Sequence, residues 1–136
     1  MMALDRALQD AVKNVPEALA AGFIDINSGM LLAVKTVDSH PMEVIDVLAA
    51  ATGDLFQGPN VTMIEDMFKK MRGHEHDKKH YFQEIIVNSD NLVHVFLRSK
   101  QNQAYVLCVV CRISVNMGMA LARARFSMPA CEKAMG

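Results

Sequence analysis

Two groups of side chains have the types and spacing that chemistry requires. His74, His76 and His80, interspersed with Glu75 and Asp77 in GHEHDKKH, are the one cluster with the makings of a metal site, since imidazole and carboxylate both ligate zinc. His76 and His80, four apart, would share a helix face, but Gly73 stops the helix before them and a strand-like run follows at once. The segment therefore reads as a solvated loop, with His74, His76 and His80 as weak candidates for metal. Cys108-Val109-Val110-Cys111 has the CxxC spacing of redox and metal pairs. It sits in AYVLCVVCR, however, and in a strand residues three apart point to opposite faces and lie ~10 Å from each other. That exceeds the ~7 Å a disulfide tolerates, so both thiols read as buried packing groups.

No other chemistry is visible. Gly53 to Gly58, GDLFQG, has two glycines but no lysine, and neither GxxxxGK[ST] nor GxGxxG occurs, so nothing cradles a nucleotide phosphate. Ser28, Ser89 and Ser99 lie in or beside expected turns. The sequence reads as non-enzymatic, with no catalytic residue, no metal and no cofactor.

The bulk properties point to protein partners. With 14 Lys and Arg against 15 Asp and Glu in 136 residues, no global field draws the chain to nucleic acid or to an anionic bilayer. Charges break every apolar run well short of the ~18 residues of a membrane span, so membrane insertion is not expected. An odd set of three cysteines with no disulfide framework across the chain and an N-terminal MMALDRALQDAV unlike a signal sequence imply a cytoplasmic, reducing compartment. The oddity is eleven Met and no Trp. Met fills irregular core gaps and also suits adaptable binding surfaces.

The elements that position these residues follow from periodicity. Leu4, Leu8, Ala11, Val12 and Val15 make an amphipathic helix ended by Pro16. Ala20 to Ile26 and Met30 to Thr36 make a hairpin turning at Asn27-Ser28-Gly29, where Asn and Gly accept positive φ. Ser39-His40-Pro41 opens a second helix with two apolar stripes: Val44, Leu48, Ala51 and Leu55, and beside them Ile45, Ala49, Thr52 and Phe56. Gly58-Pro59 kinks or breaks it. Thr62 and Glu65 match a capping box for a continuation from Met63 to Arg72. There Met63, Met67 and Met71 recur every four residues with Ile64 and Phe68 beside them, as an ordinary core face or as an exposed stripe for a partner. Three strands follow as a meander: YFQEIIVN (81–88), LVHVFLRS (92–99) and AYVLCVVCR (104–112). Ser114 and Asn116 are cap candidates for a last helix, with Met117, Leu121 and Ala124 on one face, Val115, Ala122 and Phe126 alongside, and a final turn starting at Pro129. The whole, 1–136, reads as one α+β domain.

AAGFIDINSGMLLAV resembles the first hairpin of roadblock domains, the dynein light-chain superfamily. FQEIIVNSDNLVHVFLRS with YVLCVVC is similar to that family's later strands, and NMGMALARAR to its last helix. The resemblance covers roughly Leu4 to Phe126. It implies a five-stranded antiparallel sheet of order 2-1-5-4-3 in a profilin-like arrangement, the long helix on one face and the N- and C-terminal helices on the other. It further implies a homodimer through the third strand and the long helix, Tyr81 to Asn88 and Met42 to Arg72. Within that surface the expected contact residues are Leu48, Ala51, Leu55, Met63, Met67, Phe68, Met71, Phe82, Glu84, Ile85 and Ile86. Bacterial members bind or activate small Ras-like GTPases, and eukaryotic relatives serve dynein or signalling scaffolds. The function so implied is that of a dimeric adaptor or regulator for a small GTPase or for a signalling or motor complex. The alternative is a ligand-sensing domain holding a small molecule between sheet and helix, lined by Met63, Met67 and Phe68.

Overall fold

The computed structural model describes residues 2–37 and 42–136, with residues 42–47 as backbone path alone. The expected cap at Ser39-His40-Pro41 lies outside the described residues, as do the side chains of Val44 and Ile45. Helix α1 (Met2–Asn14) buries Leu4, Ala7, Leu8 and Ala11. Strands β1 (Ala18–Asp25) and β2 (Met30–Thr36) form the expected hairpin. In its turn Gly29 alone takes a positive φ, 75°, because the Asp25 carboxylate accepts the Asn27 amide at 3.0 Å and holds that residue out of the left-handed region.

Helix α2 (Met42–Gln57) is followed by α3 (Pro59–Met71), β3 (Glu84–Asn88), β4 (Leu92–Arg98), β5 (Tyr105–Arg112) and α4 (Met117–Ala134). The five strands form one antiparallel sheet ordered β2-β1-β5-β4-β3, as expected. Helices α1 and α4 pack together over one face, where Leu4, Leu8, Phe23, Val93, Val95, Leu107, Val109, Ala120 and Cys131 close the larger core. On the opposite face Ala49 and Phe56 of α2 meet Ile24, Ile26, Phe96, Val106 and Cys108. Cys108 and Cys111 thus enter different cores from central β5, and burial pushes their thiols up to about 12 and about 11.

Several boundaries differ from the sequence reading. The capping box at Thr62 does not form. Gly58, extended at ψ 169°, is the N-cap and Pro59 opens α3 as its first residue, so the helix starts four residues earlier than Met63. Thr62 Oγ1 donates to Gln57 O at 3.2 Å instead. Strand β3 begins at Glu84 rather than Tyr81, since Tyr81 and His80 are drawn to α3. Helix α4 runs through Pro129 to Ala134 without a break. Its core face is Ala120, Ala124, Ser127, Met128 and Cys131, which leaves Phe126 outside at 81% exposure.

Candidate partner-binding surface

Helix α3 is inside out. Its buried residues are Glu65 and Lys69, while Met63, Ile64, Met67, Phe68 and Met71 face solvent. An amphipathic helix normally turns its apolar stripe to the core. Here polar bonding decides the orientation. Glu65, 1% exposed, accepts the Tyr81 amide at 2.5 Å and lies 3.0 Å from His80 Nδ1. Tyr81 then stacks on Phe68, with ring centroids 6.1 Å apart, under the Lys69 ammonium and the Arg72 guanidinium. At the helix end Gly73 takes φ 74°, and the amides of Gly73 and His74 cap the carbonyls of Lys70 and Lys69. On α2 the outer stripe is open as well: Leu48, Ala51 and Leu55 are exposed while Ala49, Thr52 and Phe56 are buried.

The joint between the helices is held by Arg98 of β4. This side chain is 3% exposed, and it donates to Phe56 O, Gln57 Oε1, Phe82 O and Gln103 O at 2.9–3.3 Å. It ties the end of α2 to the residues entering β3. Neither Arg98 nor Glu65 was singled out as a working group from the sequence. The available signal was a charge at an alternating, inward position of an apolar strand, and the Glu65-Asp66 pair of carboxylates at the centre of a Met-rich helix.

Among the described residues strand β3 pairs with β4 alone, and its other edge is open. Arg98 N donates to Gln83 O and Ser89 N to Leu92 O, which fixes the parity of the ladder. Gln83, Ile85, Val87 and Ser89 therefore bond toward β4, and the backbone groups of Glu84, Ile86 and Asn88 face the open edge. Phe82 and Ile86 are exposed apolar side chains beside that edge, and Ile85 packs against the smaller core. The Glu84 carboxylate takes both arms of Arg125 from α4, at 2.6 and 2.7 Å, and this bond holds its carboxyl below the ordinary value.

The three histidines are not brought together as ligands. His74 and His76 lie exposed on the loop, whereas His80 faces Glu65. Among the described residues no three His, Cys, Asp or Glu side chains are placed to hold a metal ion. The depression lined by Met63 and Met67 is completed by Gln57, Pro59, Thr62, Asp66 and Lys70, all from the two helices and their joint. No strand residue lines it. The layer between sheet and α2 is filled instead by Phe56 against Phe96, edge to face at 6.4 Å.

This arrangement of helices and sheet recurs in solved structures. The gliding protein MglB from Thermus thermophilus superposes with a TM-score of 0.70 at 17% identity, over 97% of this chain and 87% of that one. A Roadblock/LC7 domain from Streptomyces avermitilis gives 0.67 at 14% identity, over 96% of each chain. This is the roadblock fold. A structure described as MglB with tetrameric arrangement shares it at a TM-score of 0.69 and 17% identity, over 96% of this chain and 85% of that one. No protein-family model matches the sequence, and no curated protein matches it. The roadblock sheet here keeps the strand order that the resemblance implied, and the long helix of that resemblance is divided at Gly58, where the Gly58-Pro59 pair predicts a kink or break. Among the described residues no helix is long and apolar enough to cross a membrane.

Proposed function

We propose that this chain is a non-catalytic, dimeric roadblock-type adaptor that binds or regulates a small Ras-like GTPase, or a signalling or motor complex, in the cytoplasm. The observation that carries the reading is the inverted α3. Five large apolar side chains are exposed on one short helix, and Leu48 and Leu55 are exposed on α2, more than singly scattered apolar residues would give. The second unpartnered feature is the edge strand β3 with its free backbone groups, and an open edge calls for a partner or for protection. A second copy meets both needs at once, adding its β3 to this β3 and laying its helices against these. The likeness to MglB structures, one of them in a tetrameric arrangement, supports self-assembly and a GTPase-regulating role.

The ligand-sensing alternative is the less favoured reading, because Met63, Met67 and Phe68 are exposed rather than enclosed between sheet and helix.

The test is the molar mass by light scattering at micromolar concentration. The expected value is twice that of one chain, falling to one chain in the double variant Ile64→Ser with Met67→Glu. Nucleotide-loaded small GTPases are then passed over the immobilised wild-type protein and the double variant, and retention on wild type alone is expected. A wild-type monomer at that concentration would sink the dimer, and no retained GTPase in either nucleotide state would sink the partner.

A further inference from the structure

We propose that the C-terminal end of α3 and the loop after it form a binding cleft for an acidic polypeptide segment. Residues 69–80 carry five of the 14 Lys and Arg but two of the 15 Asp and Glu, so this stretch is basic and the remainder of the molecule acidic. Lys70, Arg72, Lys78 and Lys79 are exposed. Ion pairs among the described residues join Lys35 to Asp5, His80 to Glu65 and Arg125 to Glu84, so none of those four cations has a carboxylate of the described residues within 4.0 Å. A cluster of one sign on a molecule of opposite balance draws an oppositely charged partner to that place and repels it elsewhere.

Two of these cations, Arg72 and Lys79, line a built feature. An open cleft of about 450 Å³ is lined by Phe68, Arg72, Asp77, Lys79, His80, Tyr81 and Gln83. Its aromatic wall is fixed from behind, since Glu65 holds the Tyr81 amide and Gln103 Oε1 accepts the His80 amide at 2.6 Å. Arg72, whose guanidinium lies 6.0 Å from the Tyr81 ring centroid, offers a planar fork for a carboxylate. The Tyr81 ring, backed by Phe68, offers an apolar surface for a neighbouring side chain. Asp77 accepts the Lys79 amide at 2.9 Å and so orders the loop that carries that cation. A concave cleft suits a chain segment better than a flat bilayer. The acidic remainder of the molecule disfavours nucleic acid, whose binding requires many phosphate contacts.

The inference names the chemistry of a protein partner and so rests on the adaptor reading, but it is tested on the isolated protein with no GTPase present. Fluorescence anisotropy is measured with a labelled peptide of Glu and Asp around one central Phe, with its Lys-substituted counterpart, and with phosphatidylcholine vesicles containing phosphatidylserine. The acidic peptide is expected to bind saturably, the Lys peptide and the vesicles not. Affinity should fall by about tenfold or more in R72E/K79E, by less in R72Q/K79Q, and with rising salt. It should be unchanged in Lys13→Glu, at an exposed position on α1. Equal binding by wild type and R72E/K79E, no binding of the acidic peptide, or binding of vesicles in its place overturns the proposal. Light scattering on the same samples separates the two readings: a dimer indifferent to the peptide removes this inference alone, and a monomer that binds the peptide removes the dimer alone.

Discussion

At the scale of single residues, β4 shows what alternation can and cannot reveal. LVHVFLR places Val93, Val95 and Leu97 in one core and His94, Phe96 and Arg98 on the other face, as its period of two dictates. What Arg98 does there was illegible, because its acceptors belong to the end of α2, the approach to β3 and the β4–β5 turn. Arg98→Met should cost about 2–4 kcal/mol by leaving buried carbonyls without a donor, read as a lower urea midpoint with an unchanged slope. His94 is a different case. Burial lowers its pKa, and its Nδ1 has no hydrogen-bond partner among the described residues. A histidine whose folded value is depressed contributes full stability above its unfolded value near 6.5. That stability drains away as pH falls from there through the folded value, because the unfolded chain takes up the proton first. His94→Phe keeps the stacking on Phe96 and removes the unpaired nitrogen, so its melting temperature should exceed that of wild type by more at pH 5.5 than at pH 8. A constant difference across that range would assign the effect to packing instead.

At the scale of elements, two prolines had opposite fates. Pro59 follows an extended Gly58 and starts a helix, whereas Pro129 sits inside α4 and does not end it. Proline in a helix removes one donor; at Pro129 the carbonyl deprived is that of Arg125, four residues earlier on an exposed turn where water can replace the bond. The break at Gly58 could be read from the Gly-Pro pair, but its tightness could not. A Cβ at position 58 would lie 2.6 Å from Asp54 O, while Gly58 N still donates to that oxygen at 3.0 Å. Gly58→Ala must therefore either open the last turn of α2 or shift α3, at about 1–3 kcal/mol. The check is thermal unfolding followed by circular dichroism, and an unshifted midpoint would contradict the tight joint. The Met stripe was ambiguous for a related reason. Periodicity gives a face but not its direction, and here Glu65 sets the direction through bonds to residues 15 and 16 positions away.

At the scale of the whole molecule, the resemblance gave strand order and layers, while the open edge became testable only with the hydrogen-bond parity in hand. Ile85 and Ile86 are adjacent, both β-branched and both in β3, yet their amides point in opposite directions. Proline at Ile85 removes a donor to β4 and weakens the subunit itself. Proline at Ile86 removes a donor on the solvent side of an edge strand, the position where sheets tolerate it. If a second copy continues the sheet through β3, Ile86→Pro should yield a folded monomer whose thermal unfolding no longer depends on concentration. Ile85→Pro should lower stability and assembly together. Asp90→Pro, in the β3–β4 turn after Ser89, serves as the control that keeps wild-type mass by light scattering. A dimer that survives Ile86→Pro but not Met67→Glu would move the contact from the strand edge to α3, and the continuous sheet would then be the part of the assembly to abandon.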